Sequence, residues 1–186
     1  MQRRQVVSLS GLLALPMQLL ATERPLTPTD SEGPFYPVEP IPLRTNLLLD
    51  TKLLEAQSMQ LSGRVVNQRG QPLAGAKIEI WQCDRNGIYQ HPAQNRHEQF
   101  DQNFAGYAAQ LTDKNGGYNF TTLYPAPYPG RPPHIHAKIW YDNQQLLTTQ
   151  LYPKDTASVS NPREALQITP APDANGLLTA PFTFVV

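Results

Sequence analysis

The stretch Gly75-Ala76-Lys77-Ile78-Glu79-Ile80-Trp81-Gln82 sets the period of the chain. Ala76, Ile78 and Ile80 fall on one face, and Lys77, Glu79 and Trp81 on the other. Strict alternation over this length is the signature of a strand with one face toward a core. Asn67-Gln68-Arg69-Gly70-Gln71-Pro72 before it and Asp84-Arg85-Asn86-Gly87 after it are turn sequences. The same grammar extends outward. Strands are expected at 61–66, 107–112, 118–123, 134–141, 145–151 and 181–185, with Asp113-Lys114-Asn115-Gly116-Gly117 as a hairpin-like break. No segment sustains a helical period, although Leu47 to Leu54 could hold a short helix. About seven short strands in some 130 residues predict an all-β chain folded as a β-sandwich.

Composition narrows the function classes. Fifteen basic and fifteen acidic residues cancel, which gives no electrostatic pull toward nucleic acid or an anionic membrane. Nineteen prolines and eleven glycines fit many turns. Cys83 stands alone, excluding an intrachain disulfide framework and a multi-thiolate zinc site. Residues 1–25 differ from the rest: Arg3-Arg4 precedes an apolar run from Val6 to Ala21. At about 1.5 Å per residue the run is short for a bilayer core of about 30 Å. A basic start, an apolar middle and a small residue fit a cleaved export signal, leading to the periplasm and leaving no stable membrane insertion. Paired arginines suggest the twin-arginine route. An uncleaved anchor or a cytoplasmic protein are the alternatives. Residues 26–58, with Pro28, Pro34, Pro37, Pro40 and Pro42, form a Pro-rich N-terminal arm, extended rather than packed. The sandwich domain is expected over 59–186, with long loops.

His134-Ile135-His136 is the densest chemical signal. On a strand the two imidazoles share a face, about 7 Å apart at the backbone, opposite Ile135, Ala137 and Ile139. Pro132 and Pro133 place them at a strand start. Two imidazoles so placed can bind one cation, or equally be two hydrogen-bonded histidines on a polar face. Between Tyr118 and Lys138 there is no Asp or Glu, but Tyr118, Tyr124 and Tyr128 are present. Phenolate is a hard anionic donor, and two imidazoles with two phenolates would suit Fe(III) better than Zn or Cu(I).

Five segments, taken together and in order, carry a family pattern: Thr29-Asp30-Ser31-Glu32-Gly33-Pro34-Phe35-Tyr36, Ile80-Trp81-Gln82-Cys83-Asp84-Arg85-Asn86-Gly87-Ile88-Tyr89, Asp101-Gln102-Asn103-Phe104-Ala105-Gly106-Tyr107, Tyr128-Pro129-Gly130-Arg131-Pro132-Pro133-His134-Ile135-His136 and Thr148-Thr149-Gln150-Leu151-Tyr152. Over roughly residues 27–186 the chain resembles the intradiol ring-cleavage dioxygenases, among them catechol and protocatechuate 3,4-dioxygenases. That resemblance implies a prealbumin-like sandwich and a non-haem Fe(III) cofactor held by Tyr89, Tyr128, His134 and His136. It implies that Tyr128 also takes up a catechol proton and that Arg131 stabilises negative charge on the reacting ring. Gln150 is expected beside the substrate, with Trp81 and Tyr36 as further contacts. The implied reaction cleaves a catechol-type ring with O2 between its two hydroxylated carbons, giving a cis,cis-muconate derivative. Family members often assemble as homo-oligomers, so self-association is expected. His91 and His97, on the loop from Gln90 to Asp101, read as solvated. Tyr128 precedes His134 by six residues, shorter than in the best-known members, which leaves the catechol open. Ser62-Gly63-Arg64-Val65-Val66 through Ala76 and Thr112 through Phe120 are also the pattern of non-enzymatic prealbumin-like and carboxypeptidase regulatory-type modules, the rival reading.

Overall fold

The structure, a computed structural model, describes residues 22–52, 56–154 and 164–186. Most of the expected export segment, through residue 21, lies outside them, as does the end of the expected Leu47–Leu54 helix. Among the described residues there is no α-helix, only two 3₁₀ turns. Residues 47–52 are extended or turn, because Leu47 is fully buried and Leu48 nearly so, each seated in the sandwich core.

Among the described residues nine strands form two sheets. They are β1 (Ser58–Val66), β2 (Lys77–Trp81), β3 (Tyr107–Leu111), β4 (Gly117–Leu123), β5 (Ile135–Tyr141), β6 (Gln144–Pro153), β7 (Gln167–Ile168), β8 (Ala171–Pro172) and β9 (Leu178–Val185). One sheet runs β4-β1-β9-β8 and the other β3-β2-β5-β6-β7. The inward face of β2, Ile78 and Ile80, and that of β5, Ile135, Ala137 and Ile139, are fully buried against Leu61, Phe120 and Phe184 of the facing sheet. The expected alternation is thus met by an all-β sandwich. The two-residue strands β7 and β8 are too short to leave a period in the sequence.

Two connections differ from expectation. Asp113–Gly117 is not a hairpin: β3 and β4 belong to different sheets, and the turn carries the chain over the sandwich edge. Asp113 Oδ1 closes it by accepting from the amides of Asn115 and Gly117. The tight hairpin is β5–β6, whose loop residues Asp142 and Asn143 both have positive φ (48° and 62°). Such φ values at both central positions match the twist of paired strands, and Asp and Asn tolerate them best after glycine.

The outer face of the five-stranded sheet is where polarity and burial disagree. Glu79 and Lys138, neighbours across β2 and β5, are 3% and 4% exposed. The arm covers them. Tyr36 donates to Glu79 (2.8 Å), as does Trp140 Nε1 (2.7 Å). Lys138 pairs with Glu32 and sits 3.5 Å from the centroid of the Tyr36 ring. Every buried charge here has a partner, which is the condition for keeping it out of water. The arm is therefore extended as expected, but it is packed on both the core and the outer sheet face.

Candidate metal centre

One rung of the outer sheet face carries three of the expected site residues. Trp81 on β2, His136 on β5 and Gln150 on β6 are direct cross-strand neighbours. Trp81 is 1% exposed and stacks on His136, centroids 4.7 Å apart and planes within 6°. It lies against an imidazole, whereas a substrate contact was expected for it. Tyr36 stands behind Trp81 (5.0 Å, edge-on), its hydroxyl committed to Glu79, and so outside the donor cluster.

His134 lies one residue before β5 and its Nδ1 donates to the carbonyl of Pro132 (2.7 Å). That bond leaves the lone pair on Nε2, which faces the cluster. His134 Nε2 is 3.1 Å from His136 Nε2 and 3.3 Å from the Tyr89 hydroxyl. His136 Nδ1 is buried without a hydrogen bond. Two donors bound at right angles to one cation at about 2.1 Å stand about 3 Å apart, which is the spacing observed. Among the described residues no three His, Cys, Asp or Glu side chains gather, so any cation here needs the phenols.

Tyr89 is brought in by the loop after β2. Asp84, 1% exposed, accepts from the amides of Asn86, Ile88 and Asp101, and Gly87 N donates back to Asp84 O. Gly87 has φ 75°, and a Cβ there would meet Pro127 O at 2.8 Å and Tyr128 Cβ at 3.0 Å. The two tyrosine-bearing segments can therefore touch only through a glycine. Tyr128-Pro129-Gly130-Arg131 is a tight turn with proline first and Gly130 at φ 78°, closed by Arg131 N to Tyr128 O (2.9 Å). These are the residues a type II turn demands. The Tyr128 ring ends 5.5 Å from both the Tyr89 and His134 rings. Tyr118 and Tyr124, also candidates by sequence, lie elsewhere: Tyr118 donates to Phe182 O, and Tyr124 packs on the core.

Arg131 donates to Gln150 Oε1 (2.6 Å). Gln150 donates onward to Ser31 O and Oγ (2.7 and 2.9 Å). The Tyr152 hydroxyl lies 2.8 Å from Gln150 Oε1 and 3.0 Å from Asp30 Oδ2. This chain of polar groups ties Arg131 to the arm. Asp84, Asp30 and Tyr152 were not singled out by sequence reasoning. The period-two set Thr148, Gln150, Tyr152 was the available signal for the last. His91, expected in solvent, is 9% exposed, its ring edge-on to Phe35 and its Nδ1 accepting from Ala93 N; His97 is exposed.

Burial is the leading cause of every shift at the site. It raises the Tyr89 and Tyr128 phenols, while Arg131 pulls both back down. It lowers His134 to about 4 and His136 well below its ordinary value. Without a cation the site thus holds neutral imidazoles and protonated phenols. Neutral imidazole is the ligating form, and a hard cation is what would ionise the phenols. The donor set fits Fe(III).

A protein-family model described as "Dioxygenase" matches residues 31–164. Catechol 1,2-dioxygenase of Candida albicans is 30% identical over 148 residues, 69% of this chain and 48% of that protein. This chain belongs to the intradiol ring-cleavage dioxygenase family. The protocatechuate 3,4-dioxygenase beta chain of Burkholderia cepacia is 32% identical over 55% of this chain and 47% of its own. Among solved structures, the dioxygenase domain of a dioxygenase carbohydrate-binding protein fusion from Streptomyces sp. SirexAA-E superposes with a TM-score of 0.71 at 29% identity, covering 87% of this chain and 98% of that one. The chain spans about half the length of the curated relatives it matches. Its sandwich is the fold of this family.

Proposed function

We propose that this intradiol dioxygenase-family chain is a non-haem Fe(III) enzyme that cleaves a catechol-type ring with O2 between the two hydroxylated carbons, yielding a cis,cis-muconate derivative. The observation that carries this is the convergence of His134 Nε2, His136 Nε2 and the Tyr89 hydroxyl within 3.1–3.3 Å steps, with Tyr128 alongside. These four would hold the iron, which when bound would supply a Lewis acid for the two catechol oxygens and activate the ring toward O2.

The two phenols differ in what they can do. Tyr89 is 2% exposed and covered by Phe35, stacked at 4.7 Å, so it is fixed. Tyr128 is half-buried and borders open space. It is the phenol with room to swing and take a proton from the incoming catechol. Arg131, permanently charged and held by Gln150, favours the ionised form of both phenols. The same charge would stabilise anionic oxygen on the reacting ring. Trp81 and Phe35 wall off His136 and Tyr89 from water.

Tyr128→Phe and His136→Ala test the assignment. Each is expected to lose catechol cleavage and to weaken or abolish the visible phenolate-to-iron band. Full activity and full colour in both variants would show that this cluster is not the reaction centre. We propose in addition that residues 1–25 direct export. Fused to a reporter, they are expected to carry it out of the cytoplasm, and a wholly cytosolic reporter would remove that proposal.

A further inference from the structure

A cavity of about 430 Å³ opens beside Tyr128. It is lined by Tyr128 and Phe35, the two rings packed against Tyr89, and by the loop segment Gln94-Asn95-Arg96. The volume falls in the range of roughly 300–1,000 Å³ seen for drug-sized ligands, more than a bare single ring requires. Its lining contains no acidic residue and one cation, Arg96. Among the described residues Arg96 makes no ion pair; its Nε donates to Gln99 Oε1 (3.0 Å), leaving the rest of the guanidinium uncommitted. Gln94, whose Oε1 is buried without a hydrogen-bond partner, also lines the cavity. The backbone at Arg96 is held at φ 68°, a left-handed conformation uncommon for a residue with a side chain. A space lined by two aromatic rings and an arginine without an ion-pair partner, contiguous with a proposed ligand, is a site for a substituted ring.

We propose that this cavity takes the substituent of the substrate and that Arg96 binds an anionic group on it, so the substrate class is catechols bearing a carboxylate on a short side chain. The inference rests on the catechol-cleavage reading and deepens it. Aromatic contact with Phe35 and Tyr128 orients the ring, and the planar guanidinium suits a carboxylate. Because Arg96 is exposed, its selectivity is modest and weakens with salt.

The test is anaerobic calorimetric binding of 3-(3,4-dihydroxyphenyl)propanoate and its neutral amide, to the ferric protein and to metal-stripped protein. The acid is expected to bind the native ferric protein roughly tenfold more tightly than the amide. Arg96→Gln is expected to bring that ratio toward one, and Arg96→Lys, which keeps the charge, to restore part of it. Lys114→Gln, on the turn between β3 and β4, is expected to keep the native ratio. An acid-to-amide ratio near one in the native protein, a ratio unchanged by Arg96→Gln, or no binding of either ligand overturns the proposal. Its failure is separable from failure of the catalytic reading: loss of the latter shows as an absent visible band, whatever the acid-to-amide ratio.

Discussion

Each donor at the proposed centre is set by one or two local contacts. Pro132 O selects the His134 tautomer, Trp81 fixes the plane of His136, and Phe35 closes over Tyr89. Arg131 is held through Gln150, which in turn is tied to Ser31 of the arm and to Tyr152 of β6. Arg131→Ala is expected to retain the visible band yet lose catechol turnover by about 10²–10³-fold, as removal of a charge-stabilising donor does. A colourless variant would assign Arg131 to building the site instead. The imidazoles also make stability depend on pH. Burial lowers His134 from 6.5 to about 4 and moves His136 the same way. Below pH 6.5 the unfolded chain takes up protons that the folded chain refuses. Metal-free protein should therefore lose stability as pH falls from 6.5 toward 4, by on the order of 3 kcal/mol for His134 alone. Denaturant midpoints at pH 7 and 4.5 measure this, and His134→Gln is expected to reduce the difference. A variant with the native pH dependence would contradict the account.

Strands carried the part of the site that was legible in sequence. His134 and His136 stood out because period-two spacing is local, and the resemblance added Tyr89 and Arg131 and singled out Tyr128 from three candidate tyrosines. What was not legible depends on distant segments meeting. Glu79 reads as a solvent-facing strand residue, and only the arm, through Tyr36, makes it buried. For Trp81 the alternation gave only a strand face, and it is the register that places it beside His136. Asp113–Gly117 reads as a hairpin because turn chemistry is the same whether the next strand pairs or changes sheet. Leu47 shows the same limit: its leucine-rich run could have held a short helix, but its burial is tertiary. Leu47→Ala is expected to cost about 2–5 kcal/mol, as for other fully buried leucines. A loss below about 1 kcal/mol by chemical denaturation would mean that the arm is only loosely laid on the core. Gly130→Ala, forced into a left-handed turn, should cost about 1–2 kcal/mol and blur the visible band by moving Tyr128 relative to Arg131. Unchanged stability and spectrum would show the turn to be dispensable.

At the scale of the whole molecule, one sandwich with a proline-rich arm suffices to gather these groups. The five-stranded sheet presents His136, Trp81 and Gln150 on a single rung, two loops bring Tyr89 and Tyr128, and the arm seals the face. The chain spans about half the length of the curated relatives it matches. The cavity beside Tyr128 is lined in part by Pro129, at the start of the six-residue connection to His134. The most direct measurement of the central claim is the visible spectrum of iron-loaded protein, before and after anaerobic addition of catechol. A phenolate-to-Fe(III) band that shifts when catechol is added is the predicted result. Stoichiometric iron with no visible band, or a band indifferent to catechols, would contradict it.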